Sequence, residues 1–149
     1  MLSVVLTLFA ILISAQVQCF QNESSNSLEE QQSYIEQSGC LEEGVTMEEA
    51  LEYTNDDKGF EYTKQLVEKQ PNLKCYSACI FESRNLTIGC IVRFSEELEE
   101  DMDENELKSY KQMHSCASRL IKLNDRCECA YEIVKCLEEF KENEKNIKT

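Results

Sequence analysis

An all-α domain of six or seven short helices, stapled by disulfides, is the architecture this sequence predicts, and three observations predict it. Apolar residues recur at helical spacing through most of the chain, with capping signals ahead of several runs and no stretch that alternates as a strand does. Proline occurs once and glycine four times in 149 residues, so little interrupts a helix. Nine cysteines follow or close an uncharged leader, and such a count in a short exported chain reads as a disulfide framework.

The leader sets the compartment. Positions 2–13 form an apolar run broken only by Ser3 and Thr7, the size of a signal-peptide core and too short to span a bilayer. Cleavage after Ala15 leaves nine cysteines, and cleavage after Cys19, with Val17 third before the cut, leaves eight. Parity favours the second. The expected organisation is a signal peptide over 1–19 and one domain over 20–149, ordered from about 28 to 140, secreted into an oxidising extracellular fluid.

Taken in order, Ser27 with Glu30 and Thr46 with Glu49 fit capping boxes and predict helices over 28–37 and 47–53. Positions 55–59 are a polar loop ending in glycine. A helix is expected over 60–69, and Pro71 fits the first turn of another over 71–83. Positions 85–94 read as a connection lying against the core. Ser95 opens an acidic segment in which Glu96, Glu97, Glu99, Glu100, Asp101, Asp103, Glu104 and Glu106 surround Leu98, Met102 and Leu107, with a break near Asp103. Tyr110, Met113, Ala117, Leu120 and Ile121 continue as one stripe. Asp125 with Glu128 caps a last helix whose Ala130, Ile133, Val134, Leu137 and Phe140 share a face, and the polar tail 141–149 is expected to fray.

Charge and residue types exclude several functions. A formal charge of -14 opposes any partner held through phosphates, so nucleic acid is not an expected ligand. The chain is not expected to be an enzyme: a thiol nucleophile needs a base, His114 is the one histidine, the cysteines are expected to be oxidised, and no G-x-S-x-G elbow or histidine pair is present. No metal and no cofactor are expected: Asp101, Asp103 and Asn105 imitate the start of a calcium loop, but Glu106 stands where glycine is needed and Gln112 where glutamate is. The acidic block reads first as a solvated helix surface and second as an acid-sensitive lid over Leu98 and Met102. Asn22 and Asn85 open glycosylation sequons.

Cys75 and Cys79, four apart, share one face of a helix, so each reaches out to another segment. Cys127 and Cys136, nine apart, face opposite ways and need different partners. A central helix clamped by the N-terminal region on one side and the last helix on the other follows. Eight cysteines still allow 105 pairings.

The order Cys40, Cys75, Cys79, Cys116, Cys127, Cys136, with three residues between the second and third and eight between the last two, resembles the pattern of insect odorant-binding proteins. CYSACIFE at 75–82 and MHSCA at 113–117 are similar too, and the long first gap, which accommodates 60–69, resembles ant and related members. The resemblance spans 28 to about 140. It implies helices around an apolar cavity, interlocked bridges Cys40–Cys79, Cys75–Cys127 and Cys116–Cys136, and carriage of an odorant, pheromone or lipid through aqueous lymph, with a chemosensory receptor as a further partner. Carried over by position, the pocket comprises Tyr110, Met113, Ala117, Ile133, Val134 and Leu137; Phe81, Leu86, Phe94, Leu98 and Met102, from the connection and the acidic helix, are second-tier candidates of this chain's own sequence. The Tyr110 hydroxyl is then the group to orient an alcohol, ester or ketone. Cys90 and Cys129 depart from the six-cysteine pattern, and either a fourth internal bridge or a disulfide-linked dimer accommodates them. The alternative function is a secreted disulfide-rich interaction or lipid-transfer protein.

Overall fold

Seven α-helices and one hairpin make up the described residues of the computed structural model, 26–55 and 58–148. The expected signal segment 1–19 with Cys19, the Asn22 sequon and positions 56 and 57 of the expected loop lie outside them.

Helix α1 spans Asn26–Ser38, so Ser27 falls within its first turn rather than at its cap. A 3-10 turn follows at Cys40–Glu43 and ends at Gly44, whose φ of 92° is left-handed. A Cβ there would meet the Asn72 side-chain nitrogen at 2.7 Å, a flexible group that can shift, so it is the left-handed conformation that favours glycine. α2 (Met47–Thr54) carries the expected capping box: Thr46 Oγ1 accepts the Glu49 N–H at 3.1 Å, and Glu49 accepts the Thr46 N–H at 2.9 Å. α3 spans Gly59–Lys69 and α4 spans Asn72–Ser83, with Pro71 at φ -60° ahead of it.

α4 ends in a Schellman motif. The Leu86 N–H donates to the Phe81 carbonyl at 3.0 Å and the Asn85 N–H to the Glu82 carbonyl at 3.0 Å, with Asn85 at φ 60° between them. Leu86 and Phe81 are both buried, which supplies the apolar contact that accompanies this ending.

The 85–94 connection corrects the expectation of no strands. Thr87–Ile88 (β1) and Ile91–Val92 (β2) pair antiparallel, with Thr87 opposite Val92 and Ile88 opposite Ile91. Two residues a side are too few for alternation to show in a sequence, and the turn residue Gly89 at φ 57° carries the reversal.

Ser95 Oγ accepts the Leu98 N–H at 3.4 Å to open α5 (Glu96–Glu100). The break at Asp103 is the cap of α6 (Glu104–Cys116): Asp103 Oδ1 accepts from the Asn105 and Glu106 N–H groups, each at 2.9 Å. A 3-10 turn at Ala117–Leu120 leads towards α7 (Arg126–Lys148), where Asp125 Oδ1 accepts the Cys127 and Glu128 N–H groups at 2.8 and 3.0 Å. α7 runs through the segment expected to fray. Glu144 explains this, since it accepts from Lys108 at 2.6 Å and Gln112 at 3.2 Å and so ties the tail to α6.

α4 lies at the centre, packed mainly on α7, and α6 packs on α7 as well. Two apolar clusters result. Ile35, Val45, Ala50, Val67, Leu73, Tyr76 and Ile80 fill the half made by α1 to α4. Ala78, Phe81, Leu86, Tyr110, Met113, Leu120, Ala130 and Ile133 fill the half made by α4, the hairpin, α6 and α7.

Four bridges staple these halves: Cys40–Cys79, Cys75–Cys127, Cys116–Cys136 and Cys90–Cys129. The first three are the pairing the resemblance implies, and the fourth is internal, so every cysteine among the described residues is paired. Among those residues no helix is long and apolar enough to cross a membrane.

Candidate ligand-binding site

Helical period brings most of the expected pocket residues to one place. Tyr110 and Met113 lie one turn apart on α6, and Ile133, Val134 and Leu137 lie on one face of α7. Phe81 comes from α4, and Leu86 follows it through the Schellman turn. Phe81, Leu86, Tyr110, Met113 and Ile133 are buried in a single cluster, and Met102, Val134 and Leu137 pack against it half-buried. Ala117 and Leu98 are half-buried outside that cluster. Phe94 is 65% exposed and is corrected from lining to surface. Its position just after the hairpin turns it outward, with its ring edge-on to His114 at 5.7 Å.

Tyr110 has a different task from the one expected of it. Its O–H donates to the Arg93 carbonyl at 2.7 Å, and its oxygen accepts the Ser95 N–H at 3.1 Å. The proton an ester or ketone would need is already given to the backbone, and the phenol braces the junction between β2 and α5. Burial raises its pKa above the ordinary tyrosine value.

His114 packs edge-on against Tyr110 at 4.7 Å, and its Nε2 is buried with no hydrogen-bond partner. Glu106 corrects the reading of the acidic block as wholly solvated. It is 6% exposed, and its Oε2 accepts the Asp103 N–H at 2.8 Å, completing a capping box that faces inward. Asp103 is thereby occupied as a helix cap. Sequence reasoning missed Ala78 and Val92 as members of the cluster. The three-residue step from Ala78 to Phe81 was a usable signal for the first, whereas Val92 joins only because the hairpin folds back.

The site and fold together define a disulfide-crosslinked, all-helical domain with an aromatic and aliphatic cluster enclosed by α4, α6, α7 and a pinned hairpin. Comparison with family models, curated proteins and solved structures finds no match to the chain in any of the three.

Proposed function

We propose that the protein is a secreted, non-enzymatic carrier that takes a small hydrophobic molecule, such as an odorant, pheromone or lipid, among α4, α6 and α7. One observation carries this reading: five of the six positions taken over from the odorant-binding pattern, joined by Phe81, Leu86 and Met102 of the second-tier candidates, converge on one apolar cluster. The mechanism is partition. An apolar ligand gains about 25 cal/mol for each square ångström removed from water, and Met102 and Met113 supply flexible side chains that adapt to its shape.

The test is enhancement of N-phenyl-1-naphthylamine fluorescence by the oxidised protein, followed by displacement with alcohols and esters of graded length. Met113→Ala, inside the cluster, is expected to change the probe dissociation constant several-fold, while Ile121→Ser, at a residue 82% exposed, leaves it unchanged. Equal responses, or no probe binding, refute the reading. A secreted interaction protein is the second reading, favoured by Ile88 and Ile91, which stand as cross-strand neighbours 62% and 68% exposed on the hairpin.

A further inference from the structure

Twenty-nine acidic residues outnumber fifteen cations in this chain, yet among the described residues none is paired with Arg84. Its Nε–H donates to the Tyr34 hydroxyl at 2.9 Å, and its guanidinium lies 5.0 Å from the centre of the Tyr34 ring. Among the described residues no Asp or Glu stands within ion-pair distance of it. Glu82, the nearest acid in sequence, is engaged by Arg126 at 2.9 Å. The stretch 83–95 contains Arg84 and Arg93 and no acid at all.

The surroundings of Arg84 are apolar. Tyr76, 2% exposed, belongs to the cluster that also contains Ile35 and Ile80, and both Tyr34 and Arg84 act electrostatically on its phenol. Burial pushes the Arg84 guanidinium down to about 10, with the Tyr34 phenol partly opposing the shift. By side-chain exposure Arg84 is half-buried, and a cation partly withdrawn from water carries a free-energy cost that an anion would offset. The four Nη–H groups of Arg84 and the O–H groups of Tyr34 and Tyr76 have no acceptor among the described residues. A guanidinium fork with its Nε already clamped presents its two outer nitrogens in the geometry that meets both oxygens of a carboxylate.

We propose that Arg84, clamped by Tyr34 and backed by Tyr76 at the seam of α1 and α4, is a binding site for the carboxylate of an apolar acid such as a medium-chain fatty acid. The guanidinium supplies charge and paired donors, the Tyr34 hydroxyl a third donor, and the aromatic and aliphatic surroundings favour an apolar acid over a hydrated inorganic anion. This site is separate from the Met113 cluster and does not depend on the carrier reading.

The test titrates sodium decanoate, and separately decanol, into the oxidised protein by calorimetry, with tyrosine fluorescence as a second signal because the chain has six tyrosines and no tryptophan. Decanoate is expected to bind at least about tenfold more tightly than decanol, the ratio a charge-assisted pair provides. Arg84→Met removes an uncompensated charge while keeping an extended apolar stem, so it folds at least as stably as the parent without ligand and binds decanoate about tenfold more weakly, with decanol unchanged. Arg84→Lys recovers part of the loss. Should Arg84→Met not fold, Tyr34→Phe is the second variant, with an expected several-fold loss for decanoate alone. Unchanged decanoate affinity in the folded variant overturns the proposal. So does equal binding of decanoate and decanol, or displacement of decanoate by chloride or acetate at equal concentration, which would mark an unspecific anion pocket. Loss of probe binding at the Met113 cluster leaves the decanoate arm intact, so the two readings fail independently.

Discussion

Replacing Cys90 and Cys129 together by alanine is expected to lower the unfolding free energy by about 3 kcal/mol, and the size of this loss follows from how the bridges nest. Taken alone, a bridge across a separation of 39 residues contributes about 3.9 kcal/mol in the chain-entropy account. Here the unfolded chain already holds Cys75–Cys127. From Cys90 the path runs back to Cys75, across that bridge and forward from Cys127 to Cys129, so the loop that closes is only about 17 residues long and contributes about 3 kcal/mol. The assay is urea unfolding under non-reducing conditions, followed by far-ultraviolet circular dichroism. A loss below about 1 kcal/mol refutes the bridge as a stabilising link. Nesting itself has a separate signature: each of the two bridges shortens the loop of the other. Removing both costs about 1 kcal/mol more than the sum of the single removals, and strict additivity refutes the nesting argument.

Tyr110→Phe removes the acceptor of the Ser95 N–H and the donor to the Arg93 carbonyl; the expected cost is about 1 to 3 kcal/mol, with faster hydrogen exchange at the Ser95 amide. Exchange unaltered at Ser95 means the brace is not formed. Tyr53 is buried against the Ser77 hydroxyl at 2.7 Å, and burial raises both its pKa and that of Tyr76. Because the folded values exceed the unfolded value near 10, the neutral phenols contribute their full stability below that pH and lose it as pH rises through the folded values. The unfolding free energy should therefore fall above about pH 10, and Tyr53→Phe should lower that slope by up to about 1.4 kcal/mol per unit. A slope that ignores this substitution refutes the assignment.

Local rules made much of this fold legible. Thr46 with Glu49, and Asp125 with Glu128, act within three residues of themselves, so spacing alone locates two helix starts, while Asp103, read only as a break, proves to be a third cap. Long-range contacts were not legible in the same way. The tail beyond Phe140 stays helical because Glu144 meets two side chains of α6, and no local propensity reports that. The hairpin was too short to announce itself, although Cys90 at its turn was the clue, since a bridge to α7 has to bring this connection onto the last helix. Among the candidate pocket residues, those on the stripes of α6 and α7 come together because a period of 3.6 fixes their common face. Phe94, Leu98 and Ala117 sit next to helix ends, where the direction of a side chain depends on the path of the turn. Arg84 gave no motif at all: its interest lies in a missing carboxylate, which only the three-dimensional arrangement reveals.

The distribution of the bridges bears on why the two halves differ. Cys127, Cys129 and Cys136 all lie on α7, so three of the four bridges frame the half that contains the Met113 cluster, whereas Cys40–Cys79 ties the half built from α1 to α4. For a carrier such a frame has a further use, because room for a ligand of about 150 cubic ångströms costs about 3.6 kcal/mol when empty, at the cost per volume measured for apolar cavities. That is close to what one nested bridge contributes. On the carrier reading, the bridge beyond the six-cysteine pattern offsets an internal volume of that order, and it does so in the half that would hold the ligand. It also explains why the hairpin is fastened at its turn by Cys90: a two-residue-a-side hairpin cannot hold its own position over a yielding interior, and a covalent tie to Cys129, which is fully buried, holds it there.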